Sequence, residues 1–287
     1  MVRGIFTATS GMLAQEHRLD AISNNIANVE TSGYKRDTSV HKAFPELLIR
    51  RMSDDGVRRF PLRSEPLGSY DIAPVVGKLG TGVEQNEVFT VFEQGEFQET
   101  GNPLDLALEG KGFFVVQTPL GERYTRNGEF MIGPEGLLVT KQGYPVLGEN
   151  GPIEMKMNNF QIDKEGRIFA NPRYMDDPNR LVSVDENEWE DRVLVDELAL
   201  VQVREPRYLR KEGDSLYRTT WESGEAEVAE GEERPTILQR FLEGSNVNPV
   251  KEMVEMIEVN RAYEANQKVV QTQDQSTGQL LNLISRG

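Results

Sequence analysis

The sequence predicts an α+β protein, with a helix at each end of the chain and a mainly antiparallel, β-rich central domain. Apolar residues recur every seventh position near the N-terminus, a capped helix start precedes an amide-rich C-terminal segment, and short apolar runs separated by turn residues lie between them. We expect four segments: 1–43 as the N-terminal helix, 44–79 as an extended linker, 80–236 as the β-rich domain and 237–287 as the C-terminal helix.

The first segment has the spacing of a helix with a narrow apolar seam. Every seventh position is apolar, and a second set lies three positions later: Ile5, Met12, Leu19 and Ile26, then Ala8, Gln15, Ile22 and Val29. Such a seam leaves most of the helix surface polar and favours a partner helix, although packing on the chain's own domain is the alternative. Gly33 can adopt a left-handed C-cap, where we expect the helix to end.

The segment after this helix predicts extended chain. It contains Pro61, Pro66 and Pro74, which favour a linker over a helix. Two further stretches, 172–191 and 222–233, are acidic and weakly periodic, so we expect them to be exposed loops.

The middle of the chain carries the turn chemistry of a β domain. Asn127-Gly128 lies between two strand-like runs and predicts a type I′ hairpin, because both central residues of that turn need positive φ. The pattern Phe-x-Ile-x-x-Glu-Gly occurs at 130–136 and again at 160–166, which predicts two similar hairpins.

The last segment begins with a marked helix start. Asn248 can cap the helix and Pro249 can occupy its first position. An apolar stripe follows among many amide side chains: Val250, Val254, Ile257, Ala265, Val269 and Leu283. This composition favours contacts more polar than an ordinary core.

Charge is unevenly distributed along the 287 residues, whose formal net charge is -15. Residues 1–43 hold five Lys/Arg against four acids and residues 237–287 hold five against six, so the middle carries nearly all of the negative charge. An acidic middle disfavours binding to nucleic acid or to an anionic membrane surface. No apolar run resembles a signal peptide or a membrane span, so we expect no direct membrane insertion.

The sequence offers little catalytic chemistry. It contains two histidines and no cysteine, which disfavours a catalytic triad or a thiolate metal site. The glycine pairs at 80–82 and 110–112 lack the spacing of a phosphate-binding loop. A pair of carboxylates acting on a glycan is not excluded by counting, so a glycan hydrolase is kept as a remote alternative. We predict no catalytic, cofactor-binding or metal-ligating residue.

Three blocks of sequence are distinctive when taken together. They are Ser10-Gly11-Met12-Leu13-Ala14 through Ser23-Asn24-Asn25-Ile26-Ala27-Asn28 to Thr31-Ser32-Gly33-Tyr34-Lys35; Asn102-Pro103-Leu104-Asp105 with Tyr124-Thr125-Arg126-Asn127-Gly128; and Leu242-Glu243-Gly244-Ser245-Asn246-Val247-Asn248-Pro249 with Arg261-Ala262-Tyr263-Glu264. In this order they resemble the bacterial flagellar rod and hook protein family, and the resemblance covers nearly the whole chain.

The resemblance implies that the terminal helices form a coiled-coil-like inner domain, that the β domain lies outside it, and that the chain polymerises. The implied subunit-assembly residues are Ile5, Met12, Leu19, Ile22, Asn24, Asn25, Ile26, Asn28, Ser245, Asn246, Val254, Ile257 and Tyr263. Local capping of helix ends is the alternative role of the asparagines.

The same resemblance implies partners and a location. The partners would be copies of the chain, other flagellar axial proteins of the rod and possibly the hook, and the flagellar type III export apparatus. The rod lies in the periplasmic part of the basal body, and export would need no cleaved signal peptide. Residues 2–6 and 245–250 are most similar to proximal rod members, with a distal rod or hook-like axial subunit as the near alternative. A rod adaptor that does not polymerise is a further alternative.

Overall fold

The structure of the protein is a computed structural model, which describes residues 2–50, 57–59, 69–71, 75–155, 160–170, 193–213, 215–229, 231 and 234–284. Helix α1 (Val2–Ala27) opens the chain and helix α2 (Pro249–Ile284) closes it, with strands and a short 3-10 helix (Pro206–Tyr208) between them. The α+β class predicted from the sequence is confirmed.

In chain order the strands are β1 (Asp37–Ala43), β2 (Leu47–Arg50), β3 (Val57–Arg59), β4 (Ser69–Asp71), β5 (Val75–Leu79), β6 (Val83–Thr90), β7 (Phe97–Glu99), β8 (Leu106–Glu109), β9 (Phe113–Thr118), β10 (Gly121–Thr125), β11 (Phe130–Ile132), β12 (Leu138–Thr140), β13 (Leu147–Gly148), β14 (Gly151–Pro152), β15 (Phe160–Ile162), β16 (Arg167–Ala170), β17 (Val193–Glu197), β18 (Leu200–Val203), β19 (Arg210–Lys211), β20 (Leu216–Arg218), β21 (Ala226–Val228), β22 (Thr236–Gln239) and β23 (Phe241–Glu243).

The chain divides into two compact units. The helix-pair unit comprises residues 1–22, 39–88 and 254–287, and the sheet unit comprises residues 23–38 and 89–253. These units cut the chain differently from the four predicted segments, because the last turn of α1 and the first turn of α2 belong with the sheet. No described helix is long and apolar enough to cross a membrane.

The sheet unit is built on a six-stranded antiparallel sheet with the strand order β19-β20-β10-β9-β18-β21. Strand β9 lies inside this sheet and is buried on both faces. Phe114 and Val116 belong to the larger apolar core, whereas Phe113 and Val115 belong to the smaller core. Successive side chains of a strand point to opposite faces, which explains why β9 is a nearly continuous apolar run.

The prediction of a hairpin at Asn127-Gly128 is wrong. Strand β10 pairs with β9 and β20, and β11 pairs with β12, so the dipeptide joins two different sheets. Neither residue has positive φ. A Cβ atom on Gly128 would lie 1.6 Å from the carbonyl oxygen of Leu106, so the glycine is required by close backbone approach and not by a turn.

The repeated Phe-x-Ile pattern does mark two similar hairpins, as predicted. Strand β11 pairs antiparallel with β12, and β15 pairs antiparallel with β16. The glycine of each pattern, Gly136 and Gly166, has positive φ in the turn of its hairpin.

Three predicted segments need correction. Residues 44–79 were predicted as an extended linker, and their described part contains paired strands, β2 with β5 and β3 with β4. The rest of that prediction lies outside the described residues. The stretch 222–233 contains β21, which pairs with β18 at the sheet edge. The segment 237–287 opens with β22 and β23 before its helix. In each of these segments the strands are formed by main-chain hydrogen bonds to another segment, and side-chain composition does not reveal such pairing. The stretch 172–191 lies outside the described residues.

Candidate functional site

The helix pair brings glycines of α1 against amide side chains of α2. A Cβ atom on Gly4 would lie 2.8 Å from Gln273 Nε2, and one on Gly11 would lie 3.0 Å from Asn266 Nδ2. Each pair is seven residues from the other on both helices, in opposite directions along the chain. The helices therefore run antiparallel and approach closely where α1 has no side chain.

The inner face of the pair contains small and branched residues. Those buried most completely are Ala8, Ala14 and Ile22 on α1 and Val259 on α2. An ion pair between Arg18 and Glu255 lies in the same pair of helices. The predicted seam lies toward the side of this face, and its four members are half-buried: Ile5, Met12, Leu19 and Ile26.

Each helix also has an apolar outer face. Phe6 and Leu13 of α1 are 67% and 53% exposed, and Val254 and Ile257 of α2 are 52% and 53% exposed. Tyr263, which was predicted with the last two, is half-buried. Phe6 and Leu13 are not among the assembly residues predicted from the sequence, although their seven-residue separation was a usable signal.

Asn25 occupies a buried position at the end of α1 that belongs to the sheet unit. Its Nδ2 donates to the backbone oxygen of Asp37 at 2.9 Å and to Glu252 Oε2 at 3.2 Å. Its Oδ1 accepts the backbone N–H of Asp37 at 2.9 Å and the hydroxyl of Tyr34 at 3.3 Å. One amide therefore links the end of α1, the start of β1 and the start of α2.

A buried ion pair lies in the same unit as this amide. Lys35 Nζ donates to Glu243 Oε1 at 2.5 Å, and the two side chains are 1% and 0% exposed. Lys35 also donates to the backbone oxygen of Glu93, and Glu243 accepts the backbone N–H of Gly95 and an N–H of Arg126. The Lys35 ammonium and the Glu243 carboxylate therefore both have hydrogen-bond partners besides each other, as the burial of charged groups requires.

Burial and charge shift the titration of this cluster. Desolvation lowers the pKa of Lys35, and attraction to Glu243 opposes that shift. Desolvation also raises the pKa of Tyr34, with the negative charges of Asp37 and Glu252 acting in the same direction.

Asp37 connects the cluster to the six-stranded sheet. Its carboxylate accepts Thr90 Oγ1 at 2.7 Å and Lys211 Nζ at 2.9 Å. Lys211 also donates to the backbone oxygen of Lys35 and lies 4.0 Å from the centre of the Tyr34 ring. We name the whole set the polar junction: Asn25, Tyr34, Lys35, Asp37, Arg126, Lys211, Glu243, Asn246 and Glu252.

Asn246 joins the polar junction from the C-terminal side. It accepts the backbone N–H of Arg36 at 2.7 Å and donates to the backbone oxygen of Val91 at 2.8 Å. Asn248 accepts the backbone N–H of Lys251 at 3.1 Å, so the predicted cap of α2 is confirmed. Ser245 accepts the backbone N–H of Val247.

The other predicted asparagines lie outside the junction. Asn24 is exposed, and Asn28 Nδ2 donates to the backbone oxygen of Asn24 at 2.8 Å. Gly33 has φ +67° but lies beyond the end of α1, so it is not the predicted C-cap. A Cβ atom there would lie 2.5 Å from the backbone of Arg126, and its N–H donates to the backbone oxygen of Glu243. Close packing requires this glycine.

These contacts are suited to holding chain segments together. Within the described residues, no group of three or more His, Asp or Glu side chains could hold a metal ion. The buried charges of the polar junction are paired with one another or with backbone groups. Lys35 and Glu243 are 208 residues apart in the chain, so no local sequence signal could have paired them.

Three protein families match this chain over separate parts. Residues 5–35 match the family described as "Flagella basal body rod protein", residues 107–170 match "Flagellar hook protein FlgE/F/G D1 domain", and residues 238–283 match "Flagellar basal body rod FlgEFG protein C-terminal". The first match contains Asn25, Tyr34 and Lys35 of the polar junction, and the last match contains Glu243, Asn246 and Glu252.

Relatives match this chain over nearly its whole length. The chain is 33% identical over 287 residues to "Flagellar basal-body rod protein FlgG" of Borreliella burgdorferi, covering 99% of each protein. It is 32% identical over 274 residues to "Flagellar basal-body rod protein FlgF" of Caulobacter vibrioides, covering 94% of this chain and 93% of the relative. It is 30% identical to "Flagellar hook-basal body complex protein FlhO" of Bacillus subtilis, over the full length of both.

Proposed function

The chain belongs to the flagellar basal-body rod protein family, and on this premise we propose that the outer faces of α1 and α2 join copies of it into the rod. It is a structural subunit of the flagellar basal body and not an enzyme. The observation that carries the proposal is the exposure of apolar side chains on the outer faces of both helices, while their inner faces are packed together.

Exposed apolar residues on two long helices favour association. Fully burying a large aliphatic or aromatic side chain contributes about 1.5–3 kcal/mol, and an isolated chain forgoes roughly half of this at each of the four partly exposed positions, Phe6, Leu13, Val254 and Ile257. A second helix laid along each outer face would recover that contribution. Coiled-coil-like packing of several helices, as an inner domain, is the arrangement that we propose.

The predicted assembly residues divide between two proposed roles. Val254 and Ile257 would contact neighbouring copies directly, and Asn24 is exposed enough to do so. Half-buried side chains would pack at the edges of such contacts: Ile5, Met12, Leu19, Ile26, Asn28, Ser245 and Tyr263. The remaining three residues make contacts within the chain: Ile22, Asn25 and Asn246. We propose that they stabilise the fold of the subunit that polymerises.

We propose that the polar junction stabilises the fold of each subunit at the helix ends. It ties the last turn of α1 and the first turn of α2 to β1, β23 and the six-stranded sheet through buried hydrogen bonds.

We further propose the partners and placement that the resemblance implies. The partners are copies of this chain, other axial proteins of the rod and possibly the hook, and the flagellar type III export apparatus, with the assembled rod in the periplasmic space. We place the chain in the proximal rod. The distal rod is a second candidate, because this chain is nearly equally identical to a relative named FlgG, at 33%, and to one named FlgF, at 32%.

Electron microscopy of purified basal bodies tests this function. A peptide tag inserted after Leu120, in the exposed turn between β9 and β10, leaves both helices unmodified. Cells lacking their own copy should swim when they carry the tagged chain. Label at several helically arranged positions in the rod is expected, and its axial height separates proximal from distal placement. A label found once beside the rod would favour an adaptor, and no label would reject the proposal.

A further inference from the structure

The outer faces of the two helices lie on opposite sides of the helix pair. Phe6 and Leu13 each follow a glycine of the inner face by two residues, which is about 200° around a helix. Ile257 precedes the buried Val259 by two residues and Arg261 follows it by two. A partner helix on one outer face therefore leaves the other outer face open.

Two different faces on opposite sides suit a contact between unlike surfaces. When one face binds the other face of the next copy, the contact repeats without closing in pairs, and a ring or helix of copies results. All copies then point in the same direction. Since α1 and α2 are antiparallel within a chain, α1 of one copy is also antiparallel to α2 of the next.

Antiparallel packing allows a register in which the side chains are complementary. With Leu13 opposite Val254 of the neighbour, a step of seven residues on each helix brings Phe6 opposite Arg261. An aromatic ring facing a guanidinium is a favourable cation–π pair. Arg261 is exposed, and among the described contacts of the chain it has no ion pair.

Resting on the proposed function, we propose that the α1 face carrying Phe6 and Leu13 binds the α2 face carrying Val254, Ile257 and Arg261 of a second copy. This assigns the subunit contact on α1 to residues outside the half-buried seam. It also predicts which pairs of positions come into contact in the assembled rod.

Disulfide cross-linking tests the contact in a chain that has no cysteine of its own. The variant carries Leu13→Cys and Val254→Cys together with the Leu120 tag, in cells that lack their own copy, and purified basal bodies are oxidised with copper phenanthroline. The two thiols of one chain lie on opposite sides of the helix pair and cannot reach each other, since a disulfide needs Cα atoms about 4.4–6.8 Å apart.

The expected result is a ladder of tagged covalent multimers from the double variant and none from either single variant. The matched control pairs Leu13→Cys with Gln267→Cys, an exposed position one residue beyond the inner-face Asn266, and should give no ladder. A second variant, Leu13→Asp, should leave the monomer's melting temperature unchanged and abolish rod assembly.

Other outcomes overturn the inference in distinguishable ways. If tagged rods form but the double variant gives no ladder, or if Leu13→Cys alone gives dimers, the proposed pairing of faces is wrong and the rod function stands. If Leu13→Asp rods assemble normally, the α1 face is not a subunit contact. If the tag is absent from rods, both the proposed function and this inference fail.

Discussion

Lys35 and Glu243, 208 residues apart in the chain, form an ion pair of 2.5 Å with both side chains buried. Arg126 contacts the other carboxylate oxygen of Glu243 at 3.4 Å, so one buried anion faces two buried cations. Removing one member of a buried ion pair is costly because the remaining charge loses its compensation.

Glu243→Gln should therefore destabilise the chain more than Lys35→Met. The first change leaves two buried cations unpaired, and the second leaves Glu243 with Arg126. We expect losses in the free energy of unfolding of about 3–5 kcal/mol for Glu243→Gln and less for Lys35→Met, measured by urea denaturation. Lys141→Met removes the exposed Lys141–Glu129 pair and should cost less than about 1 kcal/mol. Equal effects of all three changes would contradict the role of burial.

Asn25→Ala and Asn24→Ala form a matched pair one residue apart. Asn25 is buried with four hydrogen bonds, and Asn24 is exposed. Truncating Asn25 leaves buried polar partners unsatisfied and should cost about 2–3 kcal/mol, whereas truncating Asn24 should change stability by less than about 0.5 kcal/mol. Thermal unfolding of the two purified variants measures the difference, and a loss of comparable size in both would disprove the assignment.

Tyr217 should lower the free energy of unfolding as the pH becomes alkaline. Burial raises its pKa above the ordinary value of 10.0, so the folded chain keeps a proton that the unfolded chain loses. The free energy of unfolding therefore falls as pH rises above 10.0, by about 1.4 kcal/mol per pH unit for this group. Tyr217→Phe should make that fall shallower. Denaturant unfolding at pH 7 and above pH 10 tests this.

The same variant should cost little at neutral pH. The hydroxyl of Tyr217 is a buried group without a hydrogen-bond partner in the described part of the chain, so removing it leaves no partner unsatisfied. A loss of several kcal/mol at pH 7 would show that the hydroxyl is bonded.

Replacing Gly128 tests whether this glycine is required by a tight turn or by close backbone packing. A type I′ turn accepts asparagine, so Gly128→Asn would be tolerated if Asn127-Gly128 formed a hairpin. The structure leaves no room for any Cβ atom beside Leu106. We therefore expect Gly128→Asn to lower the free energy of unfolding by about 3 kcal/mol or more. Urea denaturation measures this loss, and a reduced yield of soluble folded protein would accompany it. Gly143→Asn is the control, since nothing lies within 4 Å of a Cβ atom there and its φ is +87°.

Ile257→Asp and Val259→Asp separate assembly from folding. Ile257 is about half exposed on the outer face, so its change should leave the monomer folded and abolish rod assembly and swimming. Val259 is buried within the chain, and a buried charge there should destabilise the monomer by several kcal/mol, on the order of 3–5 kcal/mol. Circular dichroism of the monomers and motility of the cells measure the two effects. Normal swimming with Ile257→Asp would contradict the assembly role.

Local pattern was sufficient for much of the architecture. The seven-residue spacing predicted α1, and Asn248-Pro249 predicted the start of α2, because helix periodicity and capping depend on neighbours within a few residues. The repeated Phe-x-Ile pattern predicted two hairpins for the same reason. The motif blocks identified the family before any contact was known.

The sequence by itself therefore determined the α+β class, the two helices and the rod family, all of which depend on short-range spacing. Only the tertiary structure decided that Gly4 and Gly11 mark the inner face of α1, that Phe6 and Leu13 remain exposed, and that Gly128 is required by Leu106. It alone also joined Lys35 to Glu243. These outcomes depend on which distant segments pack together, and neither periodicity nor local propensity contains that information.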